Sequence, residues 1–239
     1  MTDEDLPRVP PDVAQAAASL GFPLEGALGE KLAAFLANLL ATNRAFNLTA
    51  ITQPQEAWTR HVLDSLSLAP HLTELPSDAR VADVGSGGGL PGIPLALALP
   101  ALSFTLVEAT AKKASFLTKA ARDLQLANVA VRAVRAEDFG QSAARETFDA
   151  VTARALSRLP VLLELTLPLL RVGGRLLAIK GGQAQQEIEE AEAALRVLGG
   201  SVREVVPTAT GQLVIVEKRG PTPQKYPRRP GEPKRSPLR

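Results

Sequence analysis

Between residues 80 and 218 short, β-branched stretches alternate with helix-length amphipathic segments, and the first stretch runs directly into a cluster of glycines. That alternation constrains the chain more than any other feature. Strands are expected at 80–84 (RVADV), 103–108, 129–134, 148–152, 175–180, 201–206 and 212–218. Helices are expected after Pro91, which suits a first helical turn, and at 111–124, 158–171 and 183–198. Alternating strands and helices fold as a doubly wound, mostly parallel sheet with helices on both faces. The last two strands are separated only by PTATG. A parallel crossover needs a dozen or more residues, so this pair must be antiparallel. The expected fold class is therefore α/β, Rossmann-like, seven-stranded, with an antiparallel last strand.

Ahead of the sheet, residues 12–72 read as helical. Leu28, Leu32, Phe35, Leu36, Leu39 and Leu40 share one helical face, and a second helix is expected over 54–67 with Trp58, His61, Val62 and Asp64 near one stripe. The expected organisation is an N-terminal helical extension (1–75), a sheet domain (76–218) and a C-terminal tail (219–239). Residues 84–107 carry no charge, but five glycines and three prolines in that stretch exclude a spanning helix. The start MTDEDLPRVP is acidic and has no apolar run, so no signal peptide is expected and the address is cytoplasmic. There is no cysteine and there are two histidines, which excludes thiolate and His-built metal sites; no metal is expected.

Charge is unevenly placed. The tail holds seven Lys/Arg and one acid, with six prolines, whereas residues 1–218 hold 20 basic and 24 acidic residues. A basic, Pro-rich, extended tail on a slightly acidic body suits a polyanionic partner, or else simply aids solubility.

In a doubly wound sheet, ligands bind at the carboxyl ends of the strands. The groups there are Asp83 with the loop Gly85, Gly87 and Leu90; Glu108, Ala109 and Thr110; Ala136 and Glu137; Arg154; and Lys180. Each has a plain structural reading: turn glycines, a helix-capping acid, cations paired with acids. Together they suggest an adenosine-containing cofactor. Glycines let a ligand approach backbone N–H groups, and Glu108, 23 residues after Gly85, is placed to grip ribose hydroxyls. The dehydrogenase G-x-G-x-x-G spacing fails from Gly85, whose sixth position is Leu90.

VADVGSGGGLPGIPLA resembles the first motif of class I S-adenosylmethionine-dependent methyltransferases. Together with NLTAI, RHVLDSL, LVEATAKKASFL, the RAE at 135–137, FDAVTARAL, KGG and YPRRPGEPKRSPL, it resembles the bacterial glucose-inhibited division protein B (RsmG) family over residues 40–239. The resemblance implies S-adenosylmethionine as cofactor and methyl transfer to N7 of guanine 527 in 16S ribosomal RNA. The implied partner is that RNA or the small ribosomal subunit, the implied state a monomer with no membrane association. It also implies residue roles. Gly85, Gly87 and Leu90 wrap the cofactor, and Asp83 orders that loop or holds the methionine amino group. Glu108 binds ribose beside Ala109 and Thr110, Ala136 and Glu137 flank the adenine, and Arg154 closes the methionine end.

This chemistry suits the residues present. Guanine N7 carries an in-plane lone pair and no proton, so alignment replaces a general base and is worth roughly 7–11 kcal/mol. The chain lacks the cysteine used for cytosine C5 transfer, and the segment after the fourth strand, TARAL, lacks the Asn/Asp-Pro-Pro-aromatic motif of exocyclic-amine enzymes. A cation beside N7 would oppose the charged product, so Arg154 and Lys180, the expected catalytic pair, should contact O6, phosphate or the methionine carboxylate. RNA contacts are expected from Asn47, Arg60, His61, Lys180, Tyr226 and Arg228, with Tyr226 stacking on a base. For Arg60 and His61 the plain reading is a helix surface plus a His61–Asp64 hydrogen bond. Deleting 221–239 is expected to impair RNA methylation and spare cofactor binding. The alternatives are an NAD(P)-dependent oxidoreductase, a non-catalytic RNA-binding protein, or a methyltransferase acting on another RNA, a small molecule or a protein.

Overall fold

A computed structural model describes residues 6–238; the acidic start at 1–5 and Arg239 lie outside the described residues. Its sheet contains β1 (Arg80–Val84), β2 (Ser103–Val107), β3 (Val129–Arg132), β4 (Phe148–Arg154), β5 (Leu170–Lys180), β6 (Gly200–Pro207) and β7 (Gln212–Lys218), in the spatial order β3-β2-β1-β4-β5-β7-β6. The first five strands pair in parallel, and β7 runs antiparallel to both β5 and β6. β1 is buried at four of its five positions, as expected of a central parallel strand covered on both faces. The strand order reverses between β1 and β4, the chain stepping from β1 to β2 on one side and from β4 to β5 on the other, which opens a crevice above their carboxyl ends.

Several segments depart from the expected outlines. β4 extends through Arg154, so this side chain leaves from the strand's last residue rather than from the loop beyond it. Instead of one helix over 158–171, a helix Leu159–Thr166 gives way to a 3-10 turn and to β5, which already begins at Leu170. The 183–198 helix is broken at Ala191. Within the expected 54–67 helix, Trp58–Leu63 is a π-helical segment. His61, Val62 and Leu63 are all buried, a consecutive run that no single α-helical stripe could hide.

The N-terminal helices do not form a separate core. Leu32, Phe35, Leu36, Leu39 and Trp58 share one apolar cluster with Leu90, Ile93, Leu106, Phe116 and Leu117 of the sheet layer. This seats the loop at 44–53 and the π segment against one rim of the crevice. Among the described residues no helix is long and apolar enough to cross a membrane.

The tail is folded back on the sheet domain rather than extended. Thr222, Tyr226, Pro227 and Pro233 are buried, and Glu232–Arg235 forms one helical turn. Arg145 donates to the Tyr226 carbonyl at 2.6 Å and the Thr222 carbonyl at 2.6 Å. Gln141 donates to the Pro227 carbonyl at 2.8 Å.

Candidate active site

Two cavities meet at the glycine loop. The larger, about 740 Å³, is lined by Thr49, Arg60, His61, Asp64, Gly85–Gly88, Leu90, Arg154, Ser157, Arg158 and Lys180, among others. The smaller, about 280 Å³, is lined by Gly85, Glu108, Ala109, Ala136, Glu137, Leu156 and Ser157, together with Gly231, Pro233 and Lys234 of the tail. Gly85 and Ser157 belong to both.

The loop is held from beneath. Asp83 is fully buried; one carboxylate oxygen accepts from the Thr152 hydroxyl at 3.0 Å and the other from the Gly92 N–H at 3.2 Å, while Ser86 donates to its carbonyl at 2.8 Å. These bonds tie the start of the loop at Asp83 to Ser86 and Gly92. Gly85 and Gly87 adopt φ of +75° and +54°, which side chains disfavour. A Cβ on Gly87 would meet no protein atom nearer than 3.8 Å, so the space above it belongs to the cleft, whereas one on Gly85 would strike Leu156 at 2.5 Å.

Glu108 bridges the loop to the next turn. One of its oxygens accepts from the Gly87 N–H at 3.0 Å and the other from the Thr110 N–H at 2.7 Å. Each carboxylate oxygen retains a second acceptor position on the small cavity. Thr110 contributes through its backbone and does not line the cavity. A carboxylate with spare acceptor sites, an open glycine loop and an adjoining partly apolar pocket make a donor–acceptor set that fits the ribose and base of an adenosine cofactor.

Arg154 spans the larger cavity. It donates through Nη1 to the Arg60 carbonyl and lies 3.2 Å from His61 Nδ1 through Nη2. His61 Nε2 is 2.8 Å from Thr49 Oγ1. The His61–Asp64 bond of the plain reading is absent: Asp64 instead accepts from the Thr210 N–H at 3.2 Å and from its hydroxyl, tying the β6–β7 turn to this rim. Ala155, next to Arg154 and on the cleft wall, has φ of +51°, the kind of strained backbone that gathers at functional sites.

Burial, reinforced by the nearby Arg154 charge, lowers the His61 pKa to about 4, so the ring is neutral near pH 7. Burial raises that of Asp83 to about 6, against the hydrogen bonds it accepts. These shifts have opposite linkage. Between about pH 4 and 6.5 the unfolded chain binds the His61 proton more readily, so this contribution to stability is lost as pH falls through that window. Between 3.8 and about 6 the folded chain binds the Asp83 proton more readily, so this contribution grows on acidification. His61→Gln should remove the first and leave the second. The thermal midpoint of the variant, relative to wild type, should rise between pH 7 and pH 5; parallel profiles would contradict the assignment.

Other expected site residues are placed differently. Lys180 is 8% exposed, paired with Glu187 at 2.6 Å and donating to the Ser157 carbonyl at 2.7 Å. Its charge is already matched, so it fixes the 157–159 wall instead of offering a free cation. Arg60 lines the cleft and is half-exposed, with a surface pair to Glu56 at 3.4 Å. Asn47 is exposed and outside both cavities. Tyr226 is 6% exposed and belongs to the apolar cluster around Phe139 and Leu159, so its ring is not presented to a base. Arg228 is clamped on the fully buried Glu164, with contacts of 2.8 and 2.7 Å, because an acid inside that helix needs a cation. Glu137 lines the smaller cavity and also accepts from the Gly231 N–H at 2.8 Å. The residues not foreseen are Thr49, Asn43, Ser157, Arg158 and the tail's Gly231 and Pro233. Thr49 sits in a motif visible in the sequence, but nothing there tells which of its residues faces the crevice.

The model of the family described as rRNA small subunit methyltransferase G matches residues 28–216. The chain belongs to this family. It is 50% identical over 224 residues to the ribosomal RNA small subunit methyltransferase G of Sorangium cellulosum, covering 93% of this chain and 94% of that protein. It is 42% identical over 226 residues to the protein of the same name from Desulfitobacterium hafniense, covering 92% and 93%. Among solved structures, geranyl diphosphate C-methyltransferase from Streptomyces coelicolor A3(2) shares the fold, with a TM-score of 0.52 and 16% identity over 64% of this chain and 78% of that one.

Proposed function

We propose that this family member transfers a methyl group from S-adenosylmethionine to N7 of guanine 527 in 16S ribosomal RNA. The observation that carries the reading is the meeting of an adenosine-sized pocket and an open acceptor cleft at one glycine loop. When bound, S-adenosylmethionine supplies an electrophilic methyl carbon on its sulfonium. Glu108 would accept from the ribose hydroxyls, the Gly85–Gly87 loop would lie against the methionine part, and Ala109, Ala136 and Glu137 would border the adenine. Arg154 and His61 form the far wall, where the base enters. No side chain has to remove a proton, since N7 has none. The neutral state of His61 keeps a second positive charge away from the ring that becomes cationic.

From the N-terminal extension residues 48–64 supply the acceptor wall, the sheet domain (76–218) supplies the cofactor platform, and residues 231–234 of the tail cover the adenosine side. RNA phosphates meet the half-exposed Arg60 and Arg158 at the rim and the exposed Lys225, Arg229, Lys234 and Arg235 of the tail. The enzyme works as a cytoplasmic monomer on the small subunit or its RNA. Labelled methyl transfer to total RNA, followed by nucleoside mapping, tests the reading: 7-methylguanosine at one position of small-subunit RNA is expected, and label elsewhere would overturn it.

Replacing Glu108 with alanine frees the Gly87 and Thr110 N–H groups and removes the ribose acceptor. Calorimetry should show cofactor binding weakened by about 1.5–3 kcal/mol with the fold intact. Unchanged affinity would remove Glu108 from the site.

A further inference from the structure

Thr49 is held on every side but one. Asn43 accepts from the N–H groups of Leu48 and Thr49 at 2.7 and 3.0 Å and donates to the Thr49 carbonyl at 2.9 Å, which fixes the backbone. At the side chain, Oγ1 accepts from the Ile51 N–H at 3.0 Å and lies 2.8 Å from His61 Nε2. The direction of the His61 contact follows from its other nitrogen. The Arg154 guanidinium carries only donors, so Nδ1, 3.2 Å away, must accept. In a neutral ring the proton then sits on Nε2, and Nε2–H donates to Thr49. Both acceptor positions of the hydroxyl oxygen are thereby filled. Its own proton has no acceptor among the described residues, and Thr49 lines the larger cavity.

We infer that Thr49 is the residue that selects guanine, by donating its hydroxyl proton to the purine O6. The inference rests on the reading of the preceding subsection and adds to it the group that reads the base. Guanine presents two neighbouring acceptors on one edge, N7 and O6; adenine presents N7 beside an amino donor. A hydroxyl whose lone pairs are already occupied cannot turn to accept from that amino group, so adenine meets donor against donor. The donor is also uncharged. It marks O6 without setting a cation beside the nitrogen that gains positive charge, a condition Arg154 and Lys180 could not meet. Toward O6, Arg154 and His61 are positioning residues: they bear on that contact by fixing which way the Thr49 hydroxyl points.

The test compares small subunits assembled with ligated 16S RNA carrying either guanine or 2-aminopurine at the acceptor position. 2-Aminopurine keeps N7 and lacks O6. Wild-type enzyme should favour guanine in initial rate by about 10–100-fold, the range of one lost hydrogen bond at a desolvated site. Thr49→Val should lower the ratio by about 10–100-fold, leaving only the intrinsic difference in N7 reactivity between the two bases, and Thr49→Ser, which keeps the hydroxyl, should preserve it. Because the readout is a ratio, any loss of folding or cofactor affinity common to both RNAs cancels. A Thr49→Val ratio equal to wild type, or a wild-type ratio near one, overturns the inference alone. Absence of N7 methylation on the guanine RNA by wild type overturns the reading beneath it, and the inference with it.

Discussion

Arg154→Ala is expected to slow single-turnover methyl transfer by about 10²–10³-fold while the protein stays folded, the range for removing one preorganised group from a polar active site. One guanidinium holds two elements of the acceptor wall, the Arg60 carbonyl and His61 Nδ1, against the end of β4. Without it the π segment loses its tether to the sheet, and His61 loses the donor that sets its tautomer. Positioning alone supports N7 chemistry, so small displacements of this wall act directly on rate. Arg154→Lys should not rescue, because a single ammonium cannot reproduce the planar fork that reaches both acceptors. The side chain is only partly buried and ends a strand whose core residues are unchanged, which argues for a small stability loss. A folded Arg154→Ala enzyme that turns over at the wild-type single-turnover rate would show the residue to be structural.

The sheet was legible because its signals are local. Strand-length and helix-length periodicities alternate, a glycine loop follows the first strand, and five residues between the last two strands leave only an antiparallel pairing. The carboxyl-end residues followed from topology: Gly85, Gly87, Glu108, Ala109, Ala136, Glu137 and Arg154 do border the joined cavities. What could not be read depends on partners that only the fold brings together. Lys180 looks like a free cation until the short turn after β5 brings Glu187 of the next helix beside it. Asp64 looks like a partner for His61, three residues earlier on the same helix, until Thr210 arrives from the β6–β7 turn. The π segment, which sets which side of residues 58–63 meets the crevice, has no counterpart in the hydrophobic pattern. The tail was misread because proline and basic charge suit both an extended arm and a docked strap. One sequence signal did favour docking: Glu164 stands alone in the apolar run VLLELTLPLL, and a buried acid requires a cation from elsewhere in the chain.

That pairing carries a large expected stability effect. Arg228→Ala leaves the Glu164 carboxylate, fully buried, with neither guanidinium contact, and should cost about 3–5 kcal/mol. For a chain of this size that is a fall in thermal midpoint of roughly 6–20 °C. Glu164→Leu combined with Arg228→Ala should recover much of the loss, since an apolar pair leaves no charge to solvate. Deleting residues 221–239 should do more. It uncovers the apolar surface under Tyr226 and strips the Arg145 guanidinium of the Thr222 and Tyr226 carbonyls. It also removes Gly231, Pro233 and Lys234 from the smaller cavity, and with Gly231 the N–H bound by Glu137. Cofactor affinity should therefore fall together with RNA methylation, contrary to what the composition of the tail suggests. Calorimetric titration of the truncated protein with S-adenosylmethionine decides the matter: affinity equal to full length would mean the tail covers the adenosine side without contributing to it, and an Arg228→Ala midpoint within a degree or two of wild type would mean the buried carboxylate has found another way to be neutral.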